Sequence, residues 1–360
     1  RNLGWFRTTF AMAGRTCREA VGRVPCTRAV LTEDNLDNHV LTPSELERLR
    51  SRGLHPLAIA VMEGDVEALE WLIQLVAAKG LSWGNDGLQL SYLAAARGKI
   101  ESLTCLRANG CPWDSETCSS AAYGGHLEVL QWAHQNGCPW DEWTCALAAQ
   151  GGHLEVLQWA RENGCEWDRH TCAYAAEGRH LEVLQWAHEN GCPWCERTCW
   201  GAAREGHLEV LQWACQNGCP WSEQTCASAA TGGHLEVLKW ARANGCPWDK
   251  ETCRLAAMNG HLEVLQWARQ NGCPWDGGTC TWAAGEGHLE VLQWAHENGC
   301  PWDSGTCNFA ASEGHLEVLR WAHQNGCPWN EDILISAHDR CRGYINEQAY
   351  FAGGAEFFRD

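Results

Sequence analysis

A histidine recurs every 27 residues from His126 to His315, eight times in all, and its neighbours recur with it. The unit reads GHLEVLQWAxxNGCPWDxxTCxxAAxx, where x marks positions that change. This fixed, short period constrains the fold more than any other feature. One such unit is too small to bury its own apolar face, so units must stack and the chain must grow as a solenoid. The unusual composition follows from the same copying. Nine of the 23 cysteines follow Asn-Gly (Cys111 to Cys327) and eight follow Thr (Cys118 to Cys307), and most of the 23 tryptophans fall at the QW and PW positions.

Within a unit, HLEVLQWA spaces its apolar residues for a helix. Leu127, Leu130 and Ala133 form a stripe with Val129 and Trp132 beside it, and Glu128 and Gln131 face away. Asn-Gly ends the helix, because Gly137 can take the left-handed conformation just past a C-terminus. Pro139 cannot continue it. The next position should N-cap a second helix: it is Asp114, Asp141, Asp168, Cys195, Ser222, Asp249, Asp276, Asp303 and Asn330 in successive units. All but Cys195 offer a side-chain oxygen to the first-turn amides, so the helix after Cys195 should start less firmly. The capped segment, TCALAAQGG at 144 to 152, is short and rich in alanine.

A short helix, tight turn, longer helix and brief return resemble the ankyrin repeat. The likeness is carried residue by residue in AAQGGHLEVLQWARENG (148 to 164) and extends over roughly residues 54 to 330. Ala148 and Ala149 match the family's small packing pair, Gly152-His153 its inter-helix turn, and HPLAIAVMEGDVEALEWLI (55 to 73) keeps its Pro-Leu start. Thr-Cys replaces the family's Thr-Pro-Leu-His, and the unit has 27 residues where the family has about 33. The shortening falls between Gly137 and Thr144, where ankyrins project a β-hairpin finger. The expected fold is therefore all-α, an ankyrin-like helix-turn-helix solenoid with little or no β-structure.

Net charge is -18. That opposes general binding to nucleic acid or to an anionic membrane, both of which need clustered cations. No apolar run approaches the ~18 residues of a membrane span. Thiols this numerous, odd in count and spaced by a repeat do not read as a secreted disulfide framework; they point to a reducing compartment, cytoplasmic or nuclear. The chain begins at Arg1, which leaves an upstream targeting segment open. Equivalent residues of adjacent units lie about one helix diameter, ~10 Å, apart. Zinc needs four ligands at about 2.3 Å or less, so the thiols and histidines read as packing and backbone-bonding groups, with Cys195 and Cys215 the places for any redox chemistry. No metal or cofactor is expected. In the PW pair, Trp140 is expected to fill the space of the missing finger, its indole N–H reaching a carbonyl.

Three segments follow. Residues 1–41 are an N-terminal helical segment in which FRTTFAMAGRTCREAV (6 to 21) is similar to the later helices of an F-box, without its leading Leu-Pro helix. Residues 42–330 hold the solenoid, opened by a TPSE capping box. Residues 331–360 start as another first helix, then leave the repeat as a C-terminal cap. No catalytic motif is present: there is no G-x-S-x-G, phosphate loop or H-E-x-x-H. The protein is expected to be a non-enzymatic interaction scaffold, a monomer outside any larger complex. Alternatives are the substrate-receptor arm of an F-box-type ubiquitin ligase and a thiol-rich metal or redox buffer. A scaffold repeats its core and varies its face. Positions varying around Thr-Cys and after Ala-Ala nominate a protein-binding face: Trp143, Arg169, His170, Tyr174, Arg197, Trp200, Arg204, Lys250, Arg254, Met258 and Trp282. An aromatic and cationic strip of this kind should prefer an acidic or mixed ligand.

Overall fold

A computed structural model describes residues 56–78, 83–330 and 332–351. The TPSE capping box and the F-box-like stretch lie outside them. Every regular element among the described residues is a helix, and none is long and apolar enough to cross a membrane. The chain divides into two compact units, one ending at Thr117 and the other beginning at Cys118.

The first unit contains α1 (Pro56–Glu63), α2 (Val66–Ala78), α3 (Gly84–Ala96) and α4 (Ile100–Ala108). They form two antiparallel pairs, stacked α1 on α3 and α2 on α4. Leu57, Val61, Leu69, Leu90, Leu103 and Leu106 fill the interior. Trp83, at the PW position, donates its indole N–H to the Asn109 carbonyl at 3.0 Å.

The second unit begins inside α5 (Ser115–Tyr123) and continues with α6 (Leu127–Gln135). It then alternates short first and second helices: α7 (Glu142–Gly151), α8 (Leu154–Glu162), α9 (Arg169–Glu177), α10 (Leu181–Glu189), α11 (Glu196–Arg204) and α12 (Leu208–Gln216). The alternation runs on through α13 (Glu223–Gly232), α14 (Leu235–Ala243), α15 (Lys250–Met258), α16 (Leu262–Gln270), α17 (Gly277–Gly285), α18 (Leu289–Glu297), α19 (Ser304–Ser312) and α20 (Leu316–Gln324). From α7 onward, neighbouring first helices lie against one another along their length, while second helices stand wider apart. Side-chain size explains the difference: Cys145, Ala148 and Ala149 form the first-helix contact, whereas second helices carry Leu and Trp. The first helices thus form the closer, inner row.

In each second helix the core residues are the equivalents of Val129, Leu130 and Ala133. Leu127, expected on that stripe, is only half-buried, and Val129 takes its place. The Asn-Gly glycines are left-handed as expected, Gly137 at φ 79°. The caps are formed by Asp114, Asp141, Asp168, Asp249, Asp276 and Asp303, each accepting from the amide two residues on. Cys195 makes no cap. Ser222, expected to cap, makes none either: its hydroxyl donates to the Glu196 carboxylate at 3.0 Å, and an ionised acceptor is the stronger partner.

The Gly-His turn differs from its local reading. His153 Nε2 donates to the carbonyl of Tyr123, 30 residues back, at 3.0 Å. His207, His261 and His288 reach Glu177, Thr231 and Met258 in the same way at 3.1 Å. The histidine is therefore a strap between units. Before most of these histidines a glycine of the preceding turn leaves room, as a Cβ on Gly260 would sit 2.7 Å from the His288 ring; before His207, Arg179 holds that place and the strap still forms. Arg179 is the one described non-glycine residue with positive φ, at 67°.

Cysteine has a specific use in this core. The cap residue's carbonyl already accepts from the first-turn Thr, as Asp141 does from Thr144. Its second lone pair takes the thiol of the Asn-Gly-Cys turn: Cys165 donates to Asp141 at 3.3 Å and Cys273 to Asp249 at 3.2 Å. Alanine would fill the volume but leave that lone pair unmet.

The chain closes with α21 (Asp332–Ser336) against α19 and α22 (Asp339–Phe351) against α20. The segment thus keeps the helix-pair plan, with a shorter first helix and a longer second. Tyr344 replaces the tryptophan that a further unit would supply, bonding His323 Nδ1 at 3.0 Å.

Candidate interaction surface

The varying residues of the first helices lie on the inner row, in two clusters. The first spans α7, α9 and α11. Trp143, 37% exposed, stacks on the His170 ring with centroids 5.3 Å apart. The imidazole is held by Asp168, Nδ1 to Oδ2 at 2.6 Å. Beneath them lies Tyr174, only 2% exposed, with the Arg197 guanidinium 5.0 Å from its ring centroid. Burial pushes the phenol up from its ordinary pKa, so it stays neutral. Tyr174 was expected to touch a partner; the structure makes it the floor on which Trp143, His170 and Arg197 rest, because its ring turns into the gap between adjacent first helices.

Arg197 also reaches Glu177, Nε to Oε1 at 3.4 Å, and Arg204 approaches the same carboxylate at 3.7 Å. Glu177 is 5% exposed, so two guanidiniums compensate one buried charge. Gly201 makes the space, since a Cβ there would lie 2.7 Å from Glu177 Cγ. Trp200 is half-buried, 5.5 Å from the Arg197 guanidinium. Arg169 is exposed at the start of α9.

The second cluster spans α15, α17 and α19. Arg254 pairs with Glu251 and lies 5.6 Å over Trp282, whose ring meets Phe309 edge-on at 5.2 Å. Gly285 admits the Phe309 ring, which any Cβ there would strike. Lys250 pairs with Asp276 at 2.7 Å and holds that carboxyl below its usual range. Met258 is half-buried. Between the clusters, α13 opens with exposed Glu223 and Gln224 and then carries only the small residues Ala227, Ser228 and Thr231 along the row where its neighbours carry aromatic or cationic ones.

Two parts of the sequence reading change here. The strip is interrupted rather than continuous. Four of its five cations, Arg197, Arg204, Lys250 and Arg254, are already in ion pairs, so the face is mixed in charge rather than cationic. Glu177, Gly201, Gly285 and Phe309 were not among the nominated residues. The available signal was glycine where other units carry large side chains: Gly201 at the position of Leu147, Tyr174 and Trp282, and Gly285 at that of Glu177, Arg204 and Met258.

The family model for ankyrin repeats (many copies) matches residues 118–161. That span holds the same helix pair and turn that the later units copy. Residues 118–161 match the ankyrin repeat. Among solved structures, the ankyrin repeat domain of human ASB11 aligns at 16% identity and a TM-score of 0.37, covering 44% of this chain and 84% of that one. No curated protein matches the chain.

The edge where ankyrins usually carry a finger has its own construction. Each PW tryptophan is half-buried. Except at Trp221, one face is covered by the penultimate side chain of the preceding second helix: His134 on Trp140 at 3.8 Å, Arg161 on Trp167 at 4.2 Å, His296 on Trp302 at 3.8 Å. Its edge meets the next unit's QW tryptophan, as Trp140 meets Trp159 at 5.8 Å. These ring contacts, rather than the expected indole bond to a carbonyl, hold Trp140. Among the described residues, no three His, Cys, Asp or Glu side chains converge to hold a metal ion. The first-helix thiols are fully buried, and contact with a neighbouring thiol and burial hold Cys145 protonated, well above the ordinary thiol range.

Proposed function

We propose that this ankyrin-repeat protein is a non-catalytic scaffold that binds a protein partner through the inner first-helix row. One observation carries the reading. Core positions repeat almost unchanged, while the residues that differ between units gather on this row and hold one another in place. Aromatic and arginine side chains are the types that dominate interface energetics. The stacking of Trp143 on His170 and the clamping of Arg197 and Arg204 by Glu177 remove rotamer freedom before a partner arrives, which lowers the ordering cost of binding. The pairing of the cations favours a partner surface of mixed charge with an apolar element to meet the tryptophans.

The test begins with affinity capture on the intact chain, followed by measured binding of the captured partner. Trp200→Ala should weaken it by at least about 2 kcal/mol, a hot-spot cost. Gln212→Ala, on α12, should leave it unchanged. Circular dichroism checks that both variants are folded. Equal affinities for the two variants would place the partner on another surface.

A further inference from the structure

One unit departs from the thiol pattern of its neighbours. Among the described residues, every cysteine is buried except Cys195 and Cys215. Cys215 occupies the penultimate position of α12. In the other units from His134 to His323 that position is His or Arg, stacked on a PW tryptophan. Here the side chain is short and turns inward instead: Cys215 Sγ lies 3.9 Å from Sγ of Cys199 on α11. Cys199 is fully buried and also faces the carbonyl of Cys219 at 4.0 Å. A thiol that is sealed in the other units here has a neighbour that reaches solvent.

We propose that Cys199 and Cys215 form a redox-responsive disulfide that cross-links α11 to α12. Cys215, the accessible sulfur, is attacked first. Its thiolate displaces hydroxide from hydrogen peroxide and becomes a sulfenic acid. The Cys199 sulfur then attacks the Cys215 sulfur, its proton leaves with the hydroxyl as water, and the S–S bond closes. In total, two thiols and one peroxide give one disulfide and two waters. Contact with Cys215 and Cys219, together with burial, raises the Cys199 pKa and keeps that thiol protonated until the Cys215 sulfur is oxidised. A low-molecular-weight disulfide such as oxidised glutathione would reach the same product through a mixed disulfide at Cys215, releasing two equivalents of the reduced thiol. Since α11 also carries Arg197, Trp200 and Arg204, the cross-link would fix the last helix of the first cluster. Its formation is scored without a partner, so its failure leaves the binding proposal standing.

The full chain is reduced, freed of reductant, treated with hydrogen peroxide and then alkylated. Intact mass and peptide mapping follow the products. The expected first product has lost the mass of two hydrogens and links Cys199 to Cys215, before the sealed thiols change. Cys215→His, which restores the residue type of the other units, should slow cross-linking at Cys199 by at least about tenfold, as loss of the accessible thiol requires. Cys195→Asp should leave the cross-link intact. Three results would overturn the proposal: a first disulfide to Cys195 or Cys219, over-oxidation of Cys215 without a cross-link, or an unchanged rate in Cys215→His.

Discussion

Gly260→Ala isolates the strap that joins one unit to the next. Gly260 has φ +75°, and a Cβ there would fall 2.7 Å from His288 Cε1 and 2.8 Å from Nδ1. Two costs add. A left-handed L-residue costs roughly 1–2 kcal/mol. Shifting the ring weakens the bond from His288 Nε2 to the Met258 carbonyl, a loss of at most about 1 kcal/mol net. Against these, alanine reduces the freedom of the unfolded chain by about 0.4–1 kcal/mol. The expected loss is about 1–2 kcal/mol, read from urea unfolding followed by far-UV circular dichroism. The clash and the strain separate in a double-mutant cycle with His288→Ala. With the ring gone, the new Cβ has room, and only backbone strain should remain. Arg179, at φ 67°, holds the equivalent position before His207, whose bond to Glu177 persists at 3.1 Å, so a shifted ring can admit a Cβ and the cost should fall at the lower end of that range. If Gly260→Ala costs the same with and without the His288 ring, the strap reasoning is wrong.

Capping, protonation and thiol access give further tests. Cys195→Asp should stabilise the protein by about 1 kcal/mol by supplying the missing cap, and Asp249→Ala should cost about as much by removing the bond to the Glu251 amide; a fall in melting temperature for Cys195→Asp would refute the helix start. Burial lowers the pKa of His180 and His207, so the folded state favours their neutral form. Their contribution is present above the unfolded pKa of about 6.5 and is lost as pH falls through the lower folded values, so melting temperature should drop in the interval below about pH 6.5. An unchanged or rising melting temperature over that interval would contradict it. A thiol reagent should label Cys195 and Cys215 rapidly in the native protein and the sealed thiols only on unfolding; fast labelling of most repeat cysteines would show an open core.

The sequence by itself determined whatever depends on neighbours along the chain. Apolar spacing in HLEVLQWA determines a helix, Asn-Gly ends it, and an aspartate before the next segment caps that one, because these effects act within a turn or two of backbone. The repeat period then makes stacking unavoidable. What one unit does to the next was decided only in three dimensions. His153 bonds a carbonyl 30 residues away, and Tyr174 lies beneath Trp143 when its pattern would equally suit the surface. Glu177 gathers Arg197 and Arg204 only because Gly201 is absent of side chain at the point of closest approach. The PW tryptophans find their covering His or Arg across the turn rather than along a helix. Each of these contacts depends on the distance between adjacent units. That distance is set by how closely the Cys and Ala faces of the first helices can meet, a packing property that no periodicity along the chain expresses.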